Sequence, residues 1–441
     1  MGILKFMSAL LKKSSSLNMW LNGSITYYFA CITMVLLPVY HWYLPLIMIL
    51  WGVVWINEIR LRYKDLLSIE YKHKVLFFLF ISFFVWQVIG LLYSDNSKEG
   101  IRNISLHLSL FLFPLVLVSP GSIIKIKINT LLKLFALSTF LFLLVCYGFA
   151  LYRSIGFQNG ILIFNPHLPV YTWLNYFYAS ELAIFQHPSY LSMYILLAAF
   201  ISIESFLDVL ISRNMRIFWL AGSLILLASI YFLSSRAAIL TTIITVPLYG
   251  LFKSKIGGGF RYLRIVVLGC TLILVPVLLT NQRVKTFVHW KSGKELSDLT
   301  SKEGRMVIWN SVNNILKKNI VFGVGTGDIQ SELNKEYIKT GNSKLAEGNF
   351  NSHNQFIEVI LEHGLIGLVI FLSAFGMMFY LAYSEKNILY TMFLVIVFTS
   401  FLFETMLNRL GGVSFFALFS FLLIHVQGNR GKKIVTEDYK R

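Results

Sequence analysis

Apolar runs of membrane-spanning length recur along the whole chain, and no other feature limits its folding options so strongly. The run "VLFFLFISFFVWQVIGLLY" at residues 75–93 contains no charge. Comparable runs lie near 25–40, 43–57, 104–118, 130–152, 181–203, 217–233, 237–252, 263–280, 356–383, 388–407 and 412–427. In lipid every backbone N–H and C=O must find a partner within the protein, which admits only helices and closed barrels. Barrel strands alternate apolar and polar residues over about 10 positions, and these runs do not. The fold class is therefore all-α: a polytopic integral membrane protein with about twelve transmembrane helices. The charged fraction of 14% supports this, since soluble domains carry about a quarter.

The formal net charge of +18 does not point to nucleic acid, because the basic residues lie in short loops between apolar runs. Cytoplasmic loops retain Lys and Arg. With the N-terminus inside, the inner loops and tails hold 23 of the 39 Lys and Arg residues, and the short outer loops hold only Lys98, Arg102, Arg153, Arg236 and Arg409. Both termini are then cytoplasmic. Residues 1–280 carry helices one to nine, 281–355 form an external module, 356–427 carry helices ten to twelve, and 428–441 are a tail. Long loops are exempt from the charge rule, so the 11 basic residues of 281–355 do not disturb it. No cleaved signal peptide is expected, because Lys5, Lys12 and Lys13 precede no compact apolar region with a small-residue cleavage site.

Within 281–355 a helix is expected at about 303–318, with Met306, Trp309, Val312, Ile315 and Leu316 at helical spacing. "GVGTGD" (323–328) reads as a tight turn presenting Asp328 as the N-cap of a second helix. It lacks the Gly-Lys-Ser/Thr ending and the preceding strand of a nucleotide loop. Residues 153–180 are aromatic and suit the membrane interface. Cys31, Cys146 and Cys270 all fall in apolar runs and suggest no disulfide framework. No clustered Cys/His pattern suggests zinc.

Ionisable residues near lipid mark functional candidates by default. Here they gather at one depth, just under the outer surface: Gln87, His107, His187, Arg236, His353, Glu404 and, just outside, Arg409. A channel or proton path would spread them across the membrane. A site acting on a molecule held in the outer leaflet would gather them. "SHNQ" (352–355) fits a capping box with Ser352 as N-cap. That places His353 in the first helical turn, where the helix dipole would keep its ring neutral and able to accept a proton. Arg236 and Arg305 offer planar forks of donors suited to phosphate oxygens. Plainer roles exist for each: a solvated capping histidine, a snorkelling interface arginine, a solvated loop-helix arginine. Glu358 and Glu362, four residues apart, could face a wet cavity or serve structure. His363 and His425 read as structural groups toward the inner side.

"SSRAA" (234–238), "GRMVIW" (304–309), "GVGTGD" (323–328) and "HNQFIEVILEHGLIG" (353–367), in this order around one long external loop, resemble the O-antigen ligase and Wzy-type polymerase superfamily of bacterial inner-membrane proteins. The resemblance covers mainly residues 180–425. It implies a fold like that of GT-C glycosyltransferases, with one long periplasmic helical loop and the active site facing the periplasm. It also implies transfer of a glycan from undecaprenyl pyrophosphate to a glycolipid acceptor, lipid A–core or another glycan, by a ligase needing no metal or nucleotide cofactor. The ligase motif's arginines fall on Arg236 and Arg305 and its histidine on His353. His187 in "HPSYLS", and Glu404 and Arg409 in "FETMLNRLGG", look like substrate-binding features of a subset of the family. In this scheme the arginines stabilise the departing pyrophosphate, His353 orients or deprotonates the acceptor hydroxyl, and in-line displacement inverts the anomeric carbon.

Two rivals stand beside a ligase. A Wzy-type polymerase shares the donor chemistry. A lipid-linked oligosaccharide flippase should show inverted repeats or a polar path across the midplane, and neither is visible in the sequence.

Overall fold

The computed structural model describes residues 25–39, 41–61, 69–168, 175–256, 276, 278–281 and 302–426. The protein is an all-α membrane bundle. Its helices are α1 (Ile25–Val39), α2 (Leu44–Leu61), α3 (Tyr71–Leu91), α4 (Ser97–His107), α5 (Ser109–Leu117), α6 (Ser122–Ile126), α7 (Ile128–Ser154), α8 (Ala179–Leu182), α9 (Pro188–Leu207), α10 (Arg213–Leu233) and α11 (Arg236–Ile256). They continue with α12 (Lys302–Asn319), α13 (Ile329–Lys339), α14 (Ser343–Glu347), α15 (Gln355–Ser384), α16 (Ile388–Phe403) and α17 (Leu410–Leu422). Among the described residues 7 helical stretches are long and apolar enough to cross a membrane, counting α4 and α5 as one, and α1, α2, α16 and α17 are shorter apolar helices. Every expected run has its helix except 263–280, most of which lies outside the described residues.

α9 is the central post. Residues 188 to 202 are all buried, against α7, α10 and α16. Lipid tails are as apolar as leucine, so helices in a bilayer associate through shape and close packing. Phenylalanines fill this role between α15, α16 and α17, where Phe375 stacks on Phe416 with centroids 5.5 Å apart. One departure from all-helix lies at 155–164, where Ile155–Gln158 and Ile161–Phe164 pair as an antiparallel hairpin. Asn159 and Gly160 both take positive φ, the Asn-Gly turn whose twist matches a two-residue hairpin.

α15 is interrupted. Gly364 sits at φ 65° inside it, a conformation that costs glycine little. The freed backbone groups are taken up by residues 320–325. Val324 N–H donates to Leu361 C=O (2.9 Å), Gly325 N–H to Glu362 C=O (3.0 Å), and Leu365 N–H to Ile320 C=O (2.8 Å). The approach is so close that a Cβ on Gly364 would lie 2.1 Å from Val321 O. "GVGTGD" is thus a plug set into a broken helix. Asp328 does not cap α13 with its side chain. Its carboxylate accepts instead from Asp95 N–H (2.7 Å) and Asn96 N–H (2.8 Å) in the α3–α4 turn. Two adjacent backbone donors at a turn outcompete one helix end for a carboxylate.

The external helices have their own core: Ile308, Val312, Ile315, Val324, Ile329, Leu333, Tyr337 and Leu345, joined by Leu361 of α15. The expected stripe is partly displaced. Met306 is exposed and Trp309 partly so, and Ile308 takes the buried place.

Candidate functional site

The site is built where α15 begins and α16 ends. Residues 351–354 lead into α15, and Asn354 is its N-cap: the Asn354 side-chain oxygen accepts from Phe356 N–H (2.9 Å) and Ile357 N–H (3.1 Å). The expected capping box is therefore shifted by two residues. Ser352 is buried and donates its hydroxyl to Glu358 Oε2 and to Asn354 C=O. Gln355 is the first helical residue, and its side-chain oxygen accepts from Leu407 N–H (2.8 Å). His353 precedes the cap, outside the first turn, with φ 49°. A left-handed backbone is uncommon for a residue with a Cβ and is held only by its surroundings. The dipole argument for a neutral His353 thus gives way to a direct contact.

That contact is with Glu404. His353 Nδ1 lies 3.2 Å from Glu404 Oε2, with both side chains partly open to solvent. An ionised carboxylate only accepts hydrogen bonds, so in the neutral ring Nδ1 carries the proton and Nε2 the lone pair. Glu404 follows directly on α16 as its C-cap. Burial works to raise its carboxyl, but the hydrogen bond from His353, with the positive charge that ring carries when protonated and the charges of His187 and Arg305 further off, brings it below the ordinary glutamate value.

Arg305 projects from α12 onto the same helix end. Its Nη2 donates to Phe403 C=O (3.2 Å) and its guanidinium stands 5.9 Å from the Phe403 ring centroid. A cation at a helix C-terminus complements the dipole there. Arg305 Nε is buried and makes no hydrogen bond among the described residues. Four residues on, Trp309 Nε1 donates to Ser352 C=O (3.0 Å). One face of α12 therefore grips both strands of the site, the His353 turn and the Glu404 turn.

His187 is the N-cap of α9, its Nδ1 accepting from Ser189 N–H at 3.4 Å. It is exposed, stands edge to face with Tyr190 (6.0 Å between centroids), and is near enough for its charge to act on Glu404. In "SSRAA", Ser234 closes α10 in the left-handed conformation (φ 52°), and the Ser235 hydroxyl accepts from Ala238 N–H and donates to Ser189 Oγ, each at 3.4 Å. Arg236 is then the first residue of α11, half-buried, at a helix start tied to the start of α9. Arg409 is exposed at the N-cap position of α17, with its charge acting on Tyr190. The chosen polar residues thus belong to one end of the bundle.

Several supporting residues were not legible in the sequence. Asn408 donates to Glu358 Oε1 (2.7 Å), and Tyr190 OH donates to Thr405 C=O (3.3 Å). His107, expected to open a span, instead closes α4 and is buried between Gln87 Oε1 (2.8 Å) and Leu407 C=O (3.0 Å). These hold the 404–409 turn from below. Glu358 and Glu362 are both buried, so neither lines an open face. His363 stands 5.6 Å from the Phe83 ring and receives Trp86 Nε1–H on its carbonyl. That places it beside Gln87, toward the His353 end of the bundle, whereas His425, bonded to Leu117 C=O, is at the opposite end. Among the described residues no group of three or more His, Cys, Asp or Glu is placed to hold a metal ion.

Residues 221–372 match a family model described as O-antigen ligase. The matched segment contains Arg236, Arg305, the 323–328 plug and His353, and stops short of Glu404. No curated protein matches the chain.

Proposed function

From the match of residues 221–372 to a family model described as O-antigen ligase, we propose a ligase that transfers a glycan from undecaprenyl pyrophosphate to a lipid A–core acceptor. The reaction takes place on the periplasmic side of the bacterial inner membrane, with both chain termini cytoplasmic and residues 281–355 forming the periplasmic module. The observation that carries this reading is the His353–Glu404 pair set against Arg305 at one end of the bundle.

The acceptor hydroxyl oxygen attacks the anomeric carbon as the carbon–oxygen bond to pyrophosphate breaks. The bonding pair leaves with the pyrophosphate, and the hydroxyl proton passes to His353 Nε2. Glu404 holds the ring in the tautomer that leaves Nε2 free and stabilises the imidazolium that forms. Arg305 and Arg236 meet the charge that develops on the pyrophosphate. His187 and Arg409 line the approach. Attack opposite the leaving group gives inversion at the anomeric carbon.

The test is a glycolipid gel from a cell lacking this protein, complemented with wild type or His353→Ala. Loss of the long lipopolysaccharide ladder with accumulation of carrier-linked polymer, restored only by wild type, supports the ligase with a catalytic His353. A core bearing a single repeat unit without a ladder assigns the chain to the Wzy-type polymerases. An intact ladder overturns the lipid A–core acceptor.

A further inference from the structure

The end of the bundle opposite His353 holds a cavity of about 790 Å³. α15 runs from Gln355 to Ser384 and α16 returns from Ile388 to Phe403, so the cavity wall at Lys386, Asn387, Ile388 and Leu389 lies one helix length from the His353–Glu404 pair. Three carboxylates line it, and each is engaged. Glu204 accepts from Lys253 Nζ at 2.7 and 2.6 Å and from Tyr249 OH at 2.8 Å. Asp208 faces Lys133 at 3.9 Å, and Glu70 meets Lys72 at 3.1 Å.

The cations are not all matched. Lys125 and Lys386 line the cavity and form no ion pair among the described residues. His73 and His425 also line it, edge to face with centroids 5.7 Å apart. His425 Nε2–H donates to Leu117 C=O at 2.7 Å, so its Nδ1 is an acceptor and the ring serves the cavity as wall rather than as a phosphate donor. Deeper in, the wall is apolar, with Ile128, Leu132, Ile201, Leu389 and Ile424.

We propose that this cavity is a phosphate-group site taking the headgroup of an anionic phospholipid, with Lys125 and Lys386 as its principal cationic ligands. Basic pockets between transmembrane helices at the cytoplasmic surface suit such headgroups. Lysine ammonium groups make charge-assisted hydrogen bonds to phosphate oxygens. A free phosphate would fill only a fraction of the volume and would gain nothing from the apolar wall, whereas a lipid phosphate continues into glycerol and acyl chain.

The test uses the full chain purified in a neutral detergent. Thermal unfolding is followed during titration with phosphatidylglycerol, with phosphatidylcholine, and with inorganic phosphate, for wild type, Lys125→Gln, Lys386→Gln and the double variant. Both lysines are exposed and, among the described residues, form no ion pair, so the single variants are expected to fold even if the double variant does not. Phosphatidylglycerol should raise the unfolding temperature of wild type, and each substitution should weaken that titration about fivefold. His353→Ala should leave the titration unchanged, which separates this site from the proposed catalytic one. A lysine-sensitive shift with inorganic phosphate alone keeps the phosphate site and assigns it to a soluble anion. Titrations with phosphatidylglycerol and phosphate that are the same in wild type and every lysine variant overturn the proposal.

Discussion

His353 Nδ1 meets Glu404 Oε2 at 3.2 Å, across the gap between the start of one transmembrane helix and the end of the next. Neither residue reaches the other by local sequence, since they stand 51 positions apart. The pair exists because Gln355 and Glu358 bind the 406–408 turn from one side, and Arg305 and Trp309 clamp both strands from the other. The imidazole is thereby held in one orientation by the fold itself.

Glu404→Gln tests that orientation. Losing a hydrogen bond to a charged group is worth about 1.5–3 kcal/mol, so glycan transfer should fall about 10- to 100-fold while the protein remains folded. His353→Ala should fall further, by about 10² to 10⁴. The double variant should be no worse than His353→Ala, because Glu404 acts through the ring. An in vitro transfer assay with purified carrier-linked glycan measures all three, and additive losses would refute the coupling.

The same carboxylate makes stability depend on pH. Its folded pKa lies below the ordinary value, so the native state holds it ionised more firmly than the unfolded chain does. Its contribution is fully present above the unfolded pKa of about 4.3 and is lost as pH falls through the lower folded value. The difference in unfolding temperature between wild type and Glu404→Gln should be flat above about pH 6 and should shrink below about pH 4. A difference that grows on acidification contradicts the assignment.

Arg305 should tolerate neither truncation nor shortening of its fork. Arg305→Ala is expected to lower transfer by about 10² to 10³. Arg305→Lys keeps the charge but loses the planar donor fork, one arm of which holds Phe403 C=O, so it should recover only part of the activity. Full activity in the lysine variant would reduce Arg305 to a point charge.

Gly364→Ala should fail to fold or lose most of its thermal stability, because the φ of 65° and the 2.1 Å approach of Val321 O leave no room for a Cβ. Gly376→Ala, on the same helix with nothing within 4 Å of the added Cβ, should be neutral or slightly stabilising. Detergent-solubilised thermal melts of the two variants make the comparison.

The membrane helices were legible because lipid permits so few backbone solutions, and a run of apolar residues nearly dictates one. That Arg236, His353 and Glu404 fall at one end of the bundle was legible too, since they interrupt or flank those runs. The local geometry of the turns was not. Ser352 and Asn354 are both good N-caps, and only the competing demand of Glu358 for the Ser352 hydroxyl decides between them. Asp328 holds the expected N-cap position of α13, but its carboxylate serves distant donors in the α3–α4 turn rather than the neighbouring helix end. The hairpin at 155–164 carried its Asn-Gly signal in plain view, but its strands are four residues each and vanish among apolar runs.

The interruption of α15 bears on how such chains can diversify. Residues 320–325 supply backbone partners to Leu361, Glu362 and Leu365, and Leu361 in turn completes the core of the external helices. The outer helices and the membrane anchor beneath them are one interlocked piece, not a cassette on a platform. Exchange of the outer segment between relatives would have to carry the 361–365 stretch with it, so recombination breakpoints that preserve function should fall after residue 365 rather than at the membrane surface.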